Sequence, residues 1–342
     1  MLKIFSSPRR LVGKAFRQIP AVKKRDQKIQ ELSALKDAFK TPSFLTLMRS
    51  AFREEQLFAE TSLDWGAYVG LGHKDGKREM REVANALGLK TPKLLGQWNT
   101  LDEINWDEMP DAFVLKTEYG HSGVGVAPLR RIDGGWQIVN STRSGTIDVV
   151  LKPLRKRLGG ESANGKFLAE ELLGPVHENK LPVDMKIYSF YGQPALMWIR
   201  SVVDFYGGKR TKRSTFFDAN GERVSNINSV TKIDDTIERP EMFTQAMEIA
   251  AQVSLAFRLP QVRVDLYEHE GEVYFGEVTS MCGHRLKWSF GDEWDRYLGE
   301  LWEYANVRLK TDLAVGNINT SGPVIRTGTT PIQKDLFSQP NI

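Results

Sequence analysis

Two acidic side chains interrupt apolar runs in the segment VRVDLYEHEGEVYFGEVT, residues 262–279. Asp265 stands two positions after Arg263 in the first run, and Glu277 stands two positions before Thr279 in the second. A carboxylate inside a buried strand is costly unless it has a partner. Because side chains alternate along a strand, Arg263 and Asp265 share one face of the predicted hairpin, and Glu277 and Thr279 share a face of its partner strand. Whether the two acids meet depends on the loop between the strands.

An odd-numbered loop would place Asp265 directly opposite Glu277. A three-residue loop, 270–272, with its central glycine in the left-handed conformation, is a common way to close such a hairpin. The same register sets Arg263 opposite Thr279, and strict alternation also puts Val273 and Phe275 on the face of Glu277.

Two carboxylates on paired strands lie about 5 Å apart and need a proton or a cation between them. Mg²⁺ prefers oxygen ligands and is usually held by one or two carboxylates plus substrate phosphates. The alternative is a salt-bridge cluster of Arg263, Asp265 and Glu277 on an exposed face. The hairpin by itself favours neither interpretation.

A second chemical signal is FVLKTEYGHSGVGV, residues 113–126, in which a strand ends in Lys116 and a loop with Gly120, Gly123 and Gly125 follows. Backbone N–H groups in such a loop can approach phosphate closely because glycine has no side chain. The spacing is neither G-x-G-x-x-G nor the P-loop, and it misses the nucleophile elbow of serine hydrolases by one position. The alternative is an ordinary glycine-rich turn.

Two further strings place charges on predicted strands. FLAEELLGP carries Glu170 and Glu171 inside an apolar run that ends at Gly-Pro, and PVDMKIYSF carries Asp184 and Lys186 on one strand face. An Asp-x-Lys pair is also typical of a purely structural ion pair.

The order of these pieces along the chain resembles the ATP-grasp superfamily, and in particular its TupA-like (teichuronopeptide-biosynthesis) and sugar-transfer-associated members. The resemblance runs from about Lys77 to Trp302. It rests on the strings KREMREVANALGLKTPKLLG, MPDAFVLKTEYGHSGVGV, PVDMKIYSFYGQPAL, RVDLY and YFGEVT.

By this resemblance ATP would lie between two α+β subdomains, with Mg²⁺ held by Asp265, Glu277 and Thr279. Thr279 occupies a position that is usually Asn, and this weaker neutral ligand puts a second Mg²⁺ in doubt. Arg263 would stabilise negative charge at the reacting centre, and Lys186 would face the phosphates.

The resemblance also implies the remaining nucleotide contacts. They are Lys77 and Lys116 at the α- and β-phosphates; His121, Ser122, Gly123 and Gly125 in a loop over the phosphates; Glu170, Glu171, Leu172 and Leu173 at adenine; Asp184 at the ribose; and Lys212 or Arg213 at the γ-phosphate. The basic string GGKRTKRST that holds Lys212 is alternatively an exposed hairpin tip.

The activity implied is Mg-ATP-dependent ligation of a carboxylate to an amine through an acyl phosphate, with a polysaccharide or sugar-linked precursor as acceptor. His284, Arg285 and Lys287 follow the metal-site strand and suggest an anionic acceptor, although a solvated basic loop has the same composition. A kinase that phosphorylates a hydroxyl would use the same nucleotide site. From another class, a basic nucleic-acid or membrane-surface module would use KPLRKR and KRTKR.

Composition places these groups in an ordinary globular chain. The 342 residues are 41% hydrophobic and 26% charged, with a mean hydropathy of −0.37 and a net charge of +4, which is too modest to demand a nucleic-acid partner. There is one cysteine, Cys282, which fits a reducing cytoplasm, and no apolar run reaches the roughly 20 residues of a membrane span. The first 30 residues hold nine Lys or Arg and one acid, so they predict either a solvated basic arm or a peripheral membrane contact.

The elements that position these groups predict an α+β fold of the ATP-grasp type, because strands and helices mix without regular alternation. Helices are predicted over 26–60, 77–87, 241–257 and 294–309, and a hairpin over 185–200 turns at Tyr191-Gly192. The predicted segments are a basic helical region (1–60), a segment before the ATP-grasp unit (61–110), a small subdomain (111–173), a large subdomain (174–310) and a polar tail (311–342).

Overall fold

Two antiparallel β-sheets and five α-helices form in the described part of the chain. The computed structural model describes residues 43–60, 76–118, 125–157, 166–175, 178, 180–203, 211–228, 233–280 and 290–316. This mixed architecture confirms the α+β prediction.

The first sheet has six strands and one helix packed on it. Its strand order is β1-β6-β2-β3-β4-β5. The strands are β1 (Leu94–Trp98), β2 (Ala112–Thr117), β3 (Val126–Ile132), β4 (Gly135–Ile138), β5 (Ser144–Gly145) and β6 (Phe167–Glu171), and the helix is α3 (Ile147–Arg157). Apolar side chains such as Phe113, Leu115 and Leu129 alternate along the strands and bury themselves against Leu151 and Leu154 of the helix.

The second sheet has five strands in the order β11-β10-β7-β8-β9. They are β7 (Val183–Phe190), β8 (Gln193–Val203), β9 (Thr211–Asp218), β10 (Val262–His269) and β11 (Glu272–Thr279). Helices α2 (Lys77–Ala86) and α4 (Phe243–Ala256) cover one face, and helices α1 (Phe44–Glu60) and α5 (Asp292–Ala314) pack on the other.

Strand β7 shows how the second sheet makes room for a site. Met185 and Ile187 point into the core beneath α4, whereas Tyr188 and Phe190 pack under α1 and α5. Alternation places Lys186 on the same face as Tyr188, but beyond the cover of those two helices. That face is therefore aromatic at one end and charged at the other.

Two crossing segments, which the structure describes in whole or in part, connect the two sheets. The segment 87–93 leaves α2 and enters β1, and the segment 172–182, described at 172–175, 178 and 180–182, joins β6 to β7. Within the first crossing, the carbonyl of Lys90 accepts a hydrogen bond from the backbone N–H of Phe275 at 2.8 Å. The two crossings are tied together, because the N–H of Glu171 donates to the carbonyl of Lys93 at 2.9 Å and the N–H of Lys93 donates to Glu171 Oε1 at 2.7 Å.

Most element predictions are confirmed with small shifts at their ends. The helices predicted at 77–87, 241–257 and 294–309 correspond to α2, α4 and α5, and Tyr191-Gly192 closes the β7–β8 hairpin with φ angles of 45° and 91°. The helix predicted from residue 26 is described only from Phe44 onward.

Two segments differ from their predictions, and a third had none. The polar tail was predicted from Thr311, but α5 continues to Ala314 because Leu309 is still buried in the last turns of the helix. Residues 211–215 of the predicted basic tip belong to β9, paired with β8. KPLRKR forms the second half of α3. The division into five segments stays a prediction, and none of the described helices is both long and apolar enough to cross a membrane.

Candidate active site

The β10–β11 hairpin brings the two acids opposite each other, but with a different loop from the one predicted. In Cα register Asp265 faces Glu277, and Arg263 faces Thr279, as expected. The loop holds two residues rather than three, since His269 pairs with Glu272, and Glu270 has a φ of 51°. The three-residue loop was therefore wrong, and the odd residue comes from a bulge at Gly276 instead.

This bulge also corrects the expectation that four alternate residues of β11 share a face. Val273 and Phe275 are buried in the core under α2 and α4, whereas Glu277 and Thr279 lie on the opposite face. Gly276 is needed at the bulge, because a Cβ there would lie 2.8 Å from the Tyr267 ring and 2.9 Å from the carbonyl oxygen of Asp265.

Asp265 is the centre of a buried ion network. Its side chain is 1% exposed and accepts hydrogen bonds from Arg263 Nε at 2.6 Å, Arg263 Nη2 at 2.8 Å and Lys186 Nζ at 2.6 Å. Lys186 also donates to Asp184 Oδ1 at 2.9 Å, and Arg263 Nη2 donates to Thr279 Oγ1 at 2.9 Å. The network forms because β7 and β11 both pair with β10, and Lys186 is the Cα partner of Asp265.

The electrostatics of this network keep its members charged. Burial by itself would raise the pKa of Asp265, but Arg263 and Lys186 outweigh burial and hold that pKa below its usual value. Burial would likewise lower the pKa of Lys186, and Asp184 and Asp265 reverse this and raise it.

Glu277 stands apart from this network. Its carboxylate has no hydrogen bond or salt bridge to any residue in the described ranges, so the predicted cluster of Arg263, Asp265 and Glu277 is replaced by a buried one with Lys186 as its other cation. The same ranges contain no group of three or more His, Cys, Asp or Glu that would hold a metal by itself. The donor set still suits Mg²⁺, since two opposed carboxylates and a hydroxyl are oxygen ligands of the kind that share this ion with phosphate.

A second charged group comes from the first sheet and α2. Lys116, on β2, forms a buried salt bridge with Glu170 of β6, and Arg81 of α2 donates to the other oxygen of Glu170 at 3.0 Å. Lys77 begins α2, and its Nζ lies 3.4 Å from the carbonyl oxygen of Glu118. Burial lowers the pKa of Lys77, an effect that nearby Glu277 partly offsets.

A cavity of about 680 Å³ lies between the two sheets. This volume is in the range of sites for small molecules and cofactors. The lining includes Val114, Val126 and Ile199, which give it apolar walls. Of the predicted site residues, seven line it: Lys116, Glu170, Glu171, Leu172, Leu173, Asp184 and Arg213.

The remaining predicted contacts fall into two groups. His121, Ser122 and Gly123 lie outside the described residues, as do Cys282, His284, Arg285 and Lys287. Gly125 has a φ of 84°, and its carbonyl accepts a hydrogen bond from the Thr117 N–H at 2.8 Å, so it closes the loop at the base of β3. The backbone of Lys212 pairs with Val202, and the side chain of Lys212 is not among those described. The neighbouring Arg213 lines the cavity and donates hydrogen bonds to Asp234 and Thr236.

Two residues of the site were not predicted. Tyr267 lines the cavity with its ring 6.0 Å from Lys116 Nζ, and burial together with Asp184 raises its pKa well above the usual value, so the phenol stays protonated. The signal available for Tyr267 was strand alternation, because residues two apart, such as Asp265 and Tyr267, share a face. Arg81 lies one helical turn after Lys77, and that i, i+4 spacing was the available signal.

The sequence matches a known protein family. A model of the TupA-like ATP-grasp family matches residues 72–303. The chain belongs to the TupA-like ATP-grasp family. The match covers the span of the resemblance read from the motifs, Lys77 to Trp302, and confirms it. No protein of curated function matches the sequence.

Among the solved structures similar to this TupA-like protein are three ligases. D-alanine–D-alanine ligase from Bacillus anthracis has a TM-score of 0.43 at 16% identity, over 72% of this chain and 71% of that chain. The ATP-grasp ligase PsnB, complexed with a phosphomimetic precursor variant, Mg and ADP, has a TM-score of 0.38 at 12% identity, over 69% and 59%. L-amino acid ligase from Bacillus licheniformis has a TM-score of 0.37 at 13% identity, over 66% and 45%.

Proposed function

We propose that this TupA-like protein is a Mg-ATP-dependent carboxylate–amine ligase that acts through an acyl phosphate on a polysaccharide or sugar-linked precursor. The observation that carries the proposal is the cavity between the sheets, because seven of the residues expected to contact ATP line it. Its volume suits a nucleotide. Family membership supports ATP as the substrate.

The cavity walls suggest how the nucleotide lies. The crossing residues Glu171, Leu172 and Leu173 would meet adenine, whose flat apolar faces suit Val114 and Ile199. Asp184 would accept hydrogen bonds from the ribose hydroxyls. Lys116 would then face the triphosphate from the first sheet.

The charged residues beyond the cavity would serve the reacting phosphate. Lys77 would add a second cation at the phosphates, while Arg263 and Lys186 would stabilise the charge that develops as the acceptor carboxylate attacks the γ-phosphorus and ADP leaves. Both cations are already fixed by Asp265, so little reorganisation is needed when the charge appears. An amine would then attack the acyl carbon, lose a proton and release phosphate.

The place for Mg²⁺ in this proposal is the strand pair that carries Asp265 and Glu277. Glu277 would be the main ligand because its carboxylate is uncommitted within the described residues, with Asp265 and the neutral Thr279 as further donors. When bound, the ion would neutralise charge on the triphosphate and polarise it.

We also propose a cytoplasmic location, because a chain with a single cysteine suits a reducing compartment. A peripheral membrane contact through the basic first 30 residues is part of the same proposal.

Asp265→Asn combined with Glu277→Gln tests the proposal. The full chain is incubated with Mg-ATP and a metabolite extract, and ADP, phosphate and new products are measured. We expect turnover to fall by at least about a hundredfold, since two charged ligands are lost. The matched control is Asp235→Asn with Glu248→Gln, which removes two exposed acids.

The products decide between reaction classes. An amide with ADP and phosphate supports the ligase, whereas ADP with a phosphorylated acceptor would make the protein a kinase. Unchanged turnover in the double variant would contradict the proposed site.

A further inference from the structure

Glu118 is a buried carboxylate that the nucleotide site as described does not use. It follows β2 directly and is 7% exposed. Its Oε1 accepts a hydrogen bond from the backbone N–H of Arg78 at 3.0 Å, and its carbonyl oxygen lies 3.4 Å from both the backbone nitrogen and the Nζ of Lys77. Its own N–H donates to the carbonyl of Lys166 at 2.8 Å. One residue of the first sheet therefore holds the first turn of α2.

The start of α2 is built to accept this carboxylate. A Cβ on Gly76 would lie 2.5 Å from Glu118 Oε1, so any other residue here would push the carboxylate away from the helix. The free N–H groups of a first turn carry partial positive charge, which a carboxylate satisfies and a neutral side chain satisfies less well. The interaction ties a helix terminus to a strand end 40 residues away in sequence.

Helix α2, fixed in this way at its first turn, also contacts both sheets. Arg81 donates to Glu170 of the first sheet at 3.0 Å, and Met80 Sδ accepts from the N–H of Val278 of β11 at 3.4 Å. Lys77 thus lies between β2 of the first sheet and β11, the strand that carries Glu277. Among the neighbouring charged groups, Glu277 has the largest electrostatic effect on the pKa of Lys77.

We propose that Glu118 is a positioning residue, which holds Lys77 in the nucleotide site by fixing the first turn of α2. The inference rests on the proposed function, in which Lys77 contacts the triphosphate. A direct role for Glu118 with substrate fits less well, because its carboxylate is already committed to the helix backbone.

A double-mutant cycle between Glu118 and Lys77 tests this role. The Kd for a non-hydrolysable ATP analogue with Mg²⁺ is measured by calorimetry for the full-length wild type, Glu118→Ala, Lys77→Ala and the double variant. We expect Glu118→Ala to weaken binding roughly tenfold, the size of a lost helix cap, and to weaken it less than about twofold when Lys77 is already Ala.

Conservative variants separate positioning from general stability. Glu118→Gln keeps an acceptor oxygen near Arg78, and we expect it to restore binding to within about threefold of wild type. Glu118→Asp keeps the charge but withdraws the oxygen by one methylene, so it should behave like Glu118→Ala, and it replaces that variant in the cycle if Glu118→Ala does not fold. The control is Glu82→Gln, which removes an exposed acid from the same helix.

Two results would overturn the role of Glu118 while leaving the proposed function intact. One is wild-type affinity in both Glu118→Ala and Glu118→Asp. The other is that Glu118→Ala loses the same affinity in the Lys77→Ala background as in the wild type. A wild type that binds no Mg-ATP analogue would instead overturn the proposed function, and the role of Glu118 with it.

Discussion

The carboxylates of the site differ in what they bind. Glu170 and Asp265 each engage two cationic side chains, whereas Glu277 engages none among the described residues. The first two carboxylates therefore fix cations in this structure, and Glu277 is the acid whose oxygens accept no hydrogen bond among the described residues. Removing one partner of such a buried pair is more damaging than its net contribution suggests, because the other charge stays buried.

The lowered pKa of Lys77 predicts that nucleotide binding weakens at alkaline pH. Burial lowers its pKa in the free protein, so its proton is lost at a lower pH than the usual 10.5. Phosphate favours the charged amine, and affinity for Mg-ATP should fall by up to about tenfold per pH unit above that pKa. In the window between the lowered pKa and 10.5, stability should rise with pH, since the unfolded state holds more protons.

Calorimetric titrations from pH 7 upward with Lys77→Arg check this, because arginine does not titrate there. We expect the variant to lose the alkaline decline, while Lys152→Arg, at an exposed position of α3, keeps it. An identical decline in Lys77→Arg would show that another group is responsible.

Part of this arrangement followed from the sequence. Arg263 and Asp265 could be placed together because residues two apart on a strand share a face. The bond from Lys186 to Asp265 could not, since 79 residues separate them and only the order of strands in the sheet makes them neighbours.

At the scale of elements, the bulge at Gly276 lets one strand serve two purposes. Before the bulge β11 contributes Phe275 to the core, and after it the strand contributes Glu277 to the site. Gly276→Ala should disturb both, because the new methyl would contact the Tyr267 ring and the Asp265 carbonyl.

We expect Gly276→Ala to cost about 1–3 kcal/mol of unfolding free energy, as overpacking does, and to weaken Mg-ATP binding by displacing Glu277. Urea unfolding and calorimetry measure the two effects. Gly271→Ala is the control: its φ is 73° and its Cβ would meet nothing within 4 Å, so it should cost stability without changing affinity. If Gly276→Ala and wild type bind Mg-ATP with equal affinity, the bulge does not position Glu277 for nucleotide binding.

The loop and the bulge could not be told apart from the sequence alone. A three-residue loop, and a two-residue loop followed by a bulge, give the same pairing at Asp265. The signal that was available is Gly276 itself, since an isolated glycine within a strand pattern is typical of a bulge.

For the whole molecule, the site depends on two sheets that the chain builds from interleaved segments. Strand β1 joins the first sheet although it directly follows α2, which packs on the second. The short string LLGQW of β1 has no strong strand pattern, so neither the strand order nor the shape of the cavity could be predicted.

A ligand held between the sheets should stabilise the molecule as one unit. At about a hundred times its Kd, Mg-ATP should add about 2.7 kcal/mol and raise the melting temperature by several degrees. Hydrogen exchange should slow in both crossings, 87–93 and 172–182. Charge-matched RNA should produce neither effect; a shift with RNA and none with Mg-ATP would favour the basic binding module instead.

The paired crossings have a mechanical consequence. A single covalent connection would let two bodies twist, slide and swing against each other. Here two connections run side by side and are joined where the N–H of Glu171 donates to the carbonyl of Lys93 and the N–H of Lys93 donates to the Glu171 carboxylate. We infer that these bonds resist sliding of one connection past the other. A rotation about the line through the crossings would keep both bonds, and it would return Lys116 and Asp184 to the same facing positions.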